Sequence, residues 1–151
     1  MPADVVVRPM RAEDRAPALD LWVAAWQDAY PAIDFAGRRD WMDERFEELT
    51  GRGAHALVAA RESEIVGFVI IDPSSGYLDQ LAVAIAYQRR GIAGKLLAEA
   101  RRLSPRQIEL EVNEDNDRAI AFYRKHGFRI SGAGVTRLSG APTHKMTWRP
   151  F

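Results

Sequence analysis

The strongest constraint on the fold lies in residues 77–95. A strand-like run, Tyr77-Leu78-Asp79-Gln80-Leu81-Ala82-Val83, passes through a short loop to Gly91 and Gly94, where a helix begins. Ile92, Leu96, Leu97, Ala100 and Leu103 recur at helical spacing, and Pro105 sets the limit of that helix. A helix start presents unpaired N–H groups at a positive dipole end, and glycine lets a ligand approach them. A strand turning into a helix through glycines is therefore a natural seat for a pyrophosphate. The same small residues also suit close helix packing, and both uses stand at this point.

The rest of the chain supplies partners for that unit. Residues 5–8 read as a first strand. Leu19, Trp22, Val23, Trp26 and Tyr30 mark an amphipathic helix that tolerates Pro17 in its first turn and ends before Pro31. Met42, Phe46 and Leu49 give a second helix, with Gly51 as its expected stop. Residues 56–60 and 65–71 form a hairpin across Arg61, Glu62, Ser63 and Glu64; its second strand is apolar on both faces and is expected to be covered on both. Ile108, Leu110 and Val112 alternate with Glu109 and Glu111, a strand with one apolar face. Asn116 can cap a short helix running to His126, with Gly127 as terminator, and residues 128–130 and 143–148 suggest two last strands around a Gly-rich loop. The expected class is α+β, a mixed sheet with helices on its faces, in one domain spanning residues 1–151.

Composition narrows the function. The 151 residues carry 21 Lys+Arg against 21 Asp+Glu, so no basic excess exists to grip nucleic acid or an anionic membrane. With no cysteine there is neither a thiolate metal site nor a thiol nucleophile, and His55, His126 and His144 lack ligand spacing, so no metal is expected. The longest apolar run, residues 65–71, is far short of the roughly 20 residues of a membrane helix, and charges at Asp4, Arg8, Arg11, Glu13 and Asp14 break any signal peptide; a cytoplasmic location is the expectation. Two phosphate motifs fail. Counting back from Lys95, a P-loop would need glycine at Arg89 and a Ser or Thr at Leu96. The run Gly132-Ala133-Gly134 would need a third glycine at Arg137 to be a dinucleotide fingerprint.

What fits is a pair of signatures. Gln88-Arg89-Arg90-Gly91-Ile92-Ala93 resembles the Q/R-x-x-G-x-G/A signature of the GNAT superfamily, the acetyl-coenzyme A-dependent N-acetyltransferases. The run from Asn116 to Phe128 is similar to that family's N-x-x-A-x-x-x-Y-x-x-x-G-F segment, in the right order after an acidic alternating strand. Trp22, Trp26, Tyr30-Pro31 and Val66-Gly67-Phe68 also match the family layout, so the resemblance covers nearly the whole chain. One departure is Ala86, where members usually carry proline. The resemblance implies a mostly antiparallel sheet of roughly six or seven strands splayed between the fourth and fifth, with about four flanking helices.

It also implies a chemistry: direct acetyl transfer from acetyl-CoA, as co-substrate, to a primary amine of a small molecule or peptide in a ternary complex. The backbone of Leu81, Ala82 and Val83 would meet the pantetheine arm, and the N–H groups of Arg89, Arg90, Gly91, Ile92, Ala93 and Gly94, after Gln88, the pyrophosphate. Lys95, with Arg89 and Arg90, would add local positive charge. Tyr123 would protonate the leaving thiolate, and Asn116 would contact the donor as well as cap its helix. For the base three alternatives stand: Glu111, placed as in the ribosomal-protein N-terminal alanine acetyltransferases; Asp79 on the fourth strand; or ordered water. Acceptor choice would reside in residues 26–49 and 131–143. Two rivals to the enzyme are a silent acyl-CoA-binding sensor and an interaction domain whose glycines only pack. A homodimer is compatible with all three.

Overall fold

The structure is a computed structural model that describes residues 4–136 and 139–150. Its elements are β1 (Val6–Pro9), α1 (Arg15–Ala29), α2 (Arg39–Gly51), β2 (His55–Arg61), β3 (Glu64–Asp72), β4 (Tyr77–Val83), α3 (Ile92–Leu103), β5 (Ile108–Asn113), α4 (Asp117–Lys125), β6 (Arg129–Val135) and β7 (Pro142–Trp148). The strands make one sheet in the order β1-β2-β3-β4-β5-β7-β6. Every neighbouring pair is antiparallel except β4 and β5, which are parallel and meet at one register pair, Tyr77 with Glu109. Beyond that pair the two strands diverge.

The mixed class, the helices and the splay agree with the reading of the sequence. Several local expectations are corrected. The β2–β3 connection is shorter than the four polar residues suggested, because Arg61 and Glu64 pair within the ladder and only Glu62, at φ 55°, and Ser63 turn the chain. Helix α2 ends at Gly51 as expected, but the left-handed residue that follows it is Gly53, at φ 103°. Much of the Gly-rich stretch belongs to β6, and Arg137 and Leu138 lie outside the described residues.

Two apolar layers sandwich β3, as its sequence demands. On one face Val66, Val69 and Ile71 join Ile92, Leu96, Leu97 and Ala100 of α3, with Leu110, Val112, Ile120 and Tyr123. On the other, Phe68 and Ile70 pack against Leu19 and Trp22 of α1 and Met42 and Phe46 of α2. Burying each large apolar side chain contributes about 1.5–3 kcal/mol, enough for a four-residue stripe to fix α3 on the sheet. The α1–α2 layer reaches β4 through Ala82, while Glu109 and Glu111 lie on the same side of β5 and remain half-buried.

A bulge in β4 opens the splay. Its register against β3 shifts between Ile70 and Ile71, leaving Asp79 without a partner opposite. As a result the consecutive residues Asp79 and Gln80 both point at the helix layer: Asp79 to Arg45 of α2, and Gln80, through its Oε1, to the indole N–H of Trp22 of α1 at 3.2 Å.

Candidate functional site

The diverging strands leave a cavity of about 750 Å³ between the second half of β4 and α4. Its walls come from both sides of the sheet. Leu81, Ala82 and Val83 line it from β4; Asn116, Phe122, Tyr123 and His126 from α4; and Ala25, Trp26 and Ala29 from α1. Helices α1 and α4 pack on opposite faces, so the cavity passes through the sheet at the splay.

One end is the start of α3. Gly91 holds φ 85°, a conformation with no steric cost only for glycine, and the preceding Arg89 takes φ 65°. The first helical hydrogen bond runs from the Lys95 N–H to Gly91 O at 3.1 Å, so the N–H groups of Ile92, Ala93 and Gly94 have no intrahelical acceptor. Ala93 and Gly94 line the cavity there, with Arg89 and Gln88 beside them. The Gln88 amide donates to Val83 O at 3.1 Å and braces the loop. Cationic side chains of Arg89, Arg118 and Lys125 also stand in the wall. An anionic diphosphate fits this donor set: a positive helix end, orphan N–H groups and three cations around small side chains.

The Ile92 side chain is fully buried in the core, which leaves its N–H as the group it can offer. Two expected cationic side chains point elsewhere. Arg90 lies over the Tyr87 ring, 5.4 Å from its centroid. Lys95 reaches back to donate to Val5 O at 2.8 Å. Arg118 and Lys125 were not singled out from the sequence, although with Phe122 they fall at i, i+4 and i+7 on α4, a stripe that marks one helix face.

Tyr123 is set on α4 between two rings, edge-on to Phe122 at 5.1 Å and to Phe128 at 5.2 Å. Burial pushes its phenol pKa well above the ordinary value, so at neutral pH the hydroxyl keeps its proton. Helix α4 is fixed at both ends. The Asn116 side chain accepts from the Ala119 N–H at 3.2 Å, and Arg101 of α3, held 4.5 Å from the Trp148 ring centroid, donates to the carbonyl of His126.

The two carboxylates singled out from the sequence lie outside the cavity wall and differ from each other. Asp79 is nearly buried and engaged by both oxygens: Arg45 Nη2 donates to Oδ1 at 2.5 Å and Nε to Oδ2 at 3.1 Å. Burial works against the Arg45 charge, but the Asp79 hydrogen bonds and the nearby carboxylates of Asp79 and Glu48 more than offset it and raise the guanidinium pKa. Both oxygens of Asp79 are thus already taken by one guanidinium fork. Glu111 is half-buried on the α1–α2 side of β5, accepting from the Thr143 hydroxyl at 2.8 Å and from the Tyr77 hydroxyl at 3.3 Å. A Cβ at position 134 would overlap its Oε1, so glycine there lets the carboxylate lie against β6. Tyr123 belongs to the core on the opposite side of β5, so the phenol and the Glu111 carboxylate flank the splay from its two faces.

Known proteins share this fold. Residues 17–128 match the model of the acetyltransferase (GNAT) family. The chain is 33% identical to an N-alpha-acetyltransferase RimI of Mycobacterium tuberculosis, over 74% of this chain and 77% of that protein. It is 24% identical to the peptidyl-lysine N-acetyltransferase YjaB of Salmonella typhimurium, over 90% and 91%. The crystal structure of the PaiA N-acetyltransferase from Thermoplasma acidophilum in complex with coenzyme A superposes with a TM-score of 0.80 at 20% identity, covering 96% of this chain and 98% of that one. With the family match spanning most of its length, the chain belongs to the acetyltransferase (GNAT) family and is an acyltransferase.

Proposed function

We propose that the chain transfers an acetyl group from acetyl-CoA to a primary amine of a small molecule or peptide, by direct transfer within a ternary complex. The observation that carries this reading is the single cavity that joins the start of α3 to the Tyr123 phenol and continues through the sheet to α1.

Acetyl-CoA supplies an acyl group already activated as a thioester. The orphan N–H groups of residues 92–94, with Arg89, Arg118 and Lys125, hold its diphosphate, and the backbone of Leu81, Ala82 and Val83 aligns the pantetheine arm across the splay. The amine approaches from the α1–α2 side, where Glu111 takes its proton directly or through one water, since Asp79 is forked by the Arg45 guanidinium whereas Glu111 is held only by two neutral hydroxyls. The amine nitrogen bonds the carbonyl carbon, the carbon–sulfur bond breaks, and Tyr123 gives its proton to the leaving sulfur. Dry surroundings raise the phenol pKa, so the hydroxyl keeps its proton until negative charge develops on the leaving sulfur. The relatives named for peptide amines support an amine acceptor.

Calorimetric titration with acetyl-CoA, followed by thiol release in the presence of polyamines, aminoglycosides, amino acids and short peptides, tests this. A Cβ at Gly94 meets only His126 Cε1 at 3.6 Å, so Gly94→Glu places a carboxylate in the cavity with space to fit. Saturable binding that falls about a hundredfold in Gly94→Glu, with thiol release on at least one amine, is the expected result. No binding of acetyl-CoA overturns the reading, and binding without release on any amine puts the acyl-CoA sensor in its place.

A further inference from the structure

The end of the cavity opposite α3 has a rigid wall. It is made by Ala25, Trp26 and Ala29 of α1, and among these three the indole is the one large group. Trp26 is held between two neighbouring rings. Its ring stacks with Tyr30, centroids 5.7 Å apart at 20°, and with Phe35, 5.7 Å apart at 25°.

Both neighbours are themselves tied down. The Tyr30 hydroxyl donates to Asp115 Oδ1 at 2.8 Å, across the splay in the segment between β5 and α4. The Phe35 N–H donates to Gln27 Oε1 at 3.1 Å, and its ring stands edge-on to Trp22 at 5.9 Å. The other end of the Gln27 amide donates to the carbonyls of Tyr30, Pro31 and Ile33, at 3.3, 3.1 and 2.6 Å. Residues 30–35 are thereby folded around one side chain, and the aromatic stack they carry is backed by the α1–α2 core.

From this geometry we infer that Trp26 sets the upper limit on the acyl group, confining the donor to acyl chains of two or three carbons. The inference rests on the diphosphate lying at the start of α3, which directs the thioester end of the donor toward α1. An apolar acyl chain gains about fourfold in affinity for each methylene it buries. That gain requires space, and a wall locked by two stacked rings cannot yield it at small cost. Trp26 is therefore a specificity-determining residue that meets the acyl group, not the amine.

The test compares the binding of coenzyme A, acetyl-, propionyl-, butyryl- and hexanoyl-CoA to the unmodified protein, Trp26→Leu and Trp26→Ala by calorimetry. The quantity read is the butyryl-to-acetyl affinity ratio within each protein, which is unaffected by a change in the folded fraction. In the unmodified protein the affinity is expected to fall about tenfold or more beyond propionyl. The ratio is expected to rise about tenfold in Trp26→Ala and by an intermediate factor in Trp26→Leu. An unmodified protein that takes hexanoyl as well as acetyl overturns the inference. So does a ratio that stays constant in both variants, including the case in which only the KM for the amine moves. If free coenzyme A does not bind the unmodified protein, the diphosphate site falls and the acyl limit with it; if it binds and the ratios are flat, the acyl limit alone falls.

Discussion

The two sides of the splayed sheet are built from different materials. On the α3–α4 side the cavity is built around backbone and small residues, the Gly91 turn, three orphan N–H groups and the strand at residues 81–83, with the cations Arg89, Arg118 and Lys125 beside them and Tyr123 as a buried phenol. On the α1–α2 side the features are side-chain pairs joining elements far apart in sequence, Arg45 with Asp79, Tyr77 and Thr143 with Glu111, and Tyr30 with Asp115. A backbone site recognises what related donors share, whereas side-chain pairs are free to vary with the acceptor. Damage on the first side should therefore appear in donor binding or thiolate release, and damage to the pairs on the second in stability and amine-dependent rate, with Trp26 at the end of the cavity as the exception.

The largest stability effect is expected at Arg45. Its side chain and that of Asp79 are 9% and 7% exposed, so Arg45→Met strands a carboxylate in the interior and should cost about 3–5 kcal/mol in denaturant unfolding. Adding Asp79→Leu should restore most of that loss, because a desolvated pair gives back little beyond its own desolvation cost. A double variant as unstable as the single would show that the bulge itself needs the ion pair. Next comes Tyr123→Phe, which keeps the ring contacts with Phe122 and Phe128 and removes only the hydroxyl. Turnover should fall at least about a hundredfold with the KM for acetyl-CoA nearly unchanged, as measured by steady-state kinetics. Unchanged turnover would take the phenol out of the reaction and weaken the contrast between the two sides.

Gly134→Ala should have a smaller effect confined to the acceptor side. The added methyl overlaps Glu111 Oε1 and pushes the carboxylate off Thr143. An amine-dependent rate lowered about tenfold, with acetyl-CoA affinity intact, is the expected result, and equal losses in both would mean that the two sides are not separable.

Legibility in the sequence follows the same division. The bounds of β4 and α3 and the cap of α4 are written by residues with one local meaning, namely Gly91, Pro105 and Asn116. The doubly apolar β3 announced its two covers. Helix α2 ends at Gly51 as expected, but the left-handed residue is Gly53 two positions on, because only the chain path chooses which of the two glycines takes positive φ. Asp79 was indistinguishable from a free base, since Arg45 lies 34 residues away on another element and the bulge that turns Asp79 toward it leaves no local mark. The rigid wall at Trp26 was equally hidden: helical spacing showed an aromatic stripe but not the folding of residues 30–35 around Gln27.

The smallest effect expected is a pH dependence specific to the α4 wall. His126 is pushed below its ordinary value of 6.5 by desolvation first, and then by the charges of Arg101 and Lys125. The folded chain thus resists protonation there more than the unfolded chain does. As pH falls through 6.5 the unfolded state takes up the proton first, so stability declines with acidification until the folded-state value is passed, and levels off below it. Carboxylates cannot mimic this, because those with shifted values, Asp14 held by Arg8 as well as Asp4 and Asp72, all move down from 3.8 and titrate at lower pH. His126→Gln should flatten the Tm between pH 6.5 and 5 by about 1 °C, while the steeper loss below pH 4 remains. Since His126 lines the cavity, acetyl-CoA should bind more tightly once the pH falls far enough below 6.5 for the folded imidazole to gain charge, with no such gain in His126→Gln. A Tm profile identical in the two proteins would mean that the imidazole meets water as freely in the fold as in the unfolded chain.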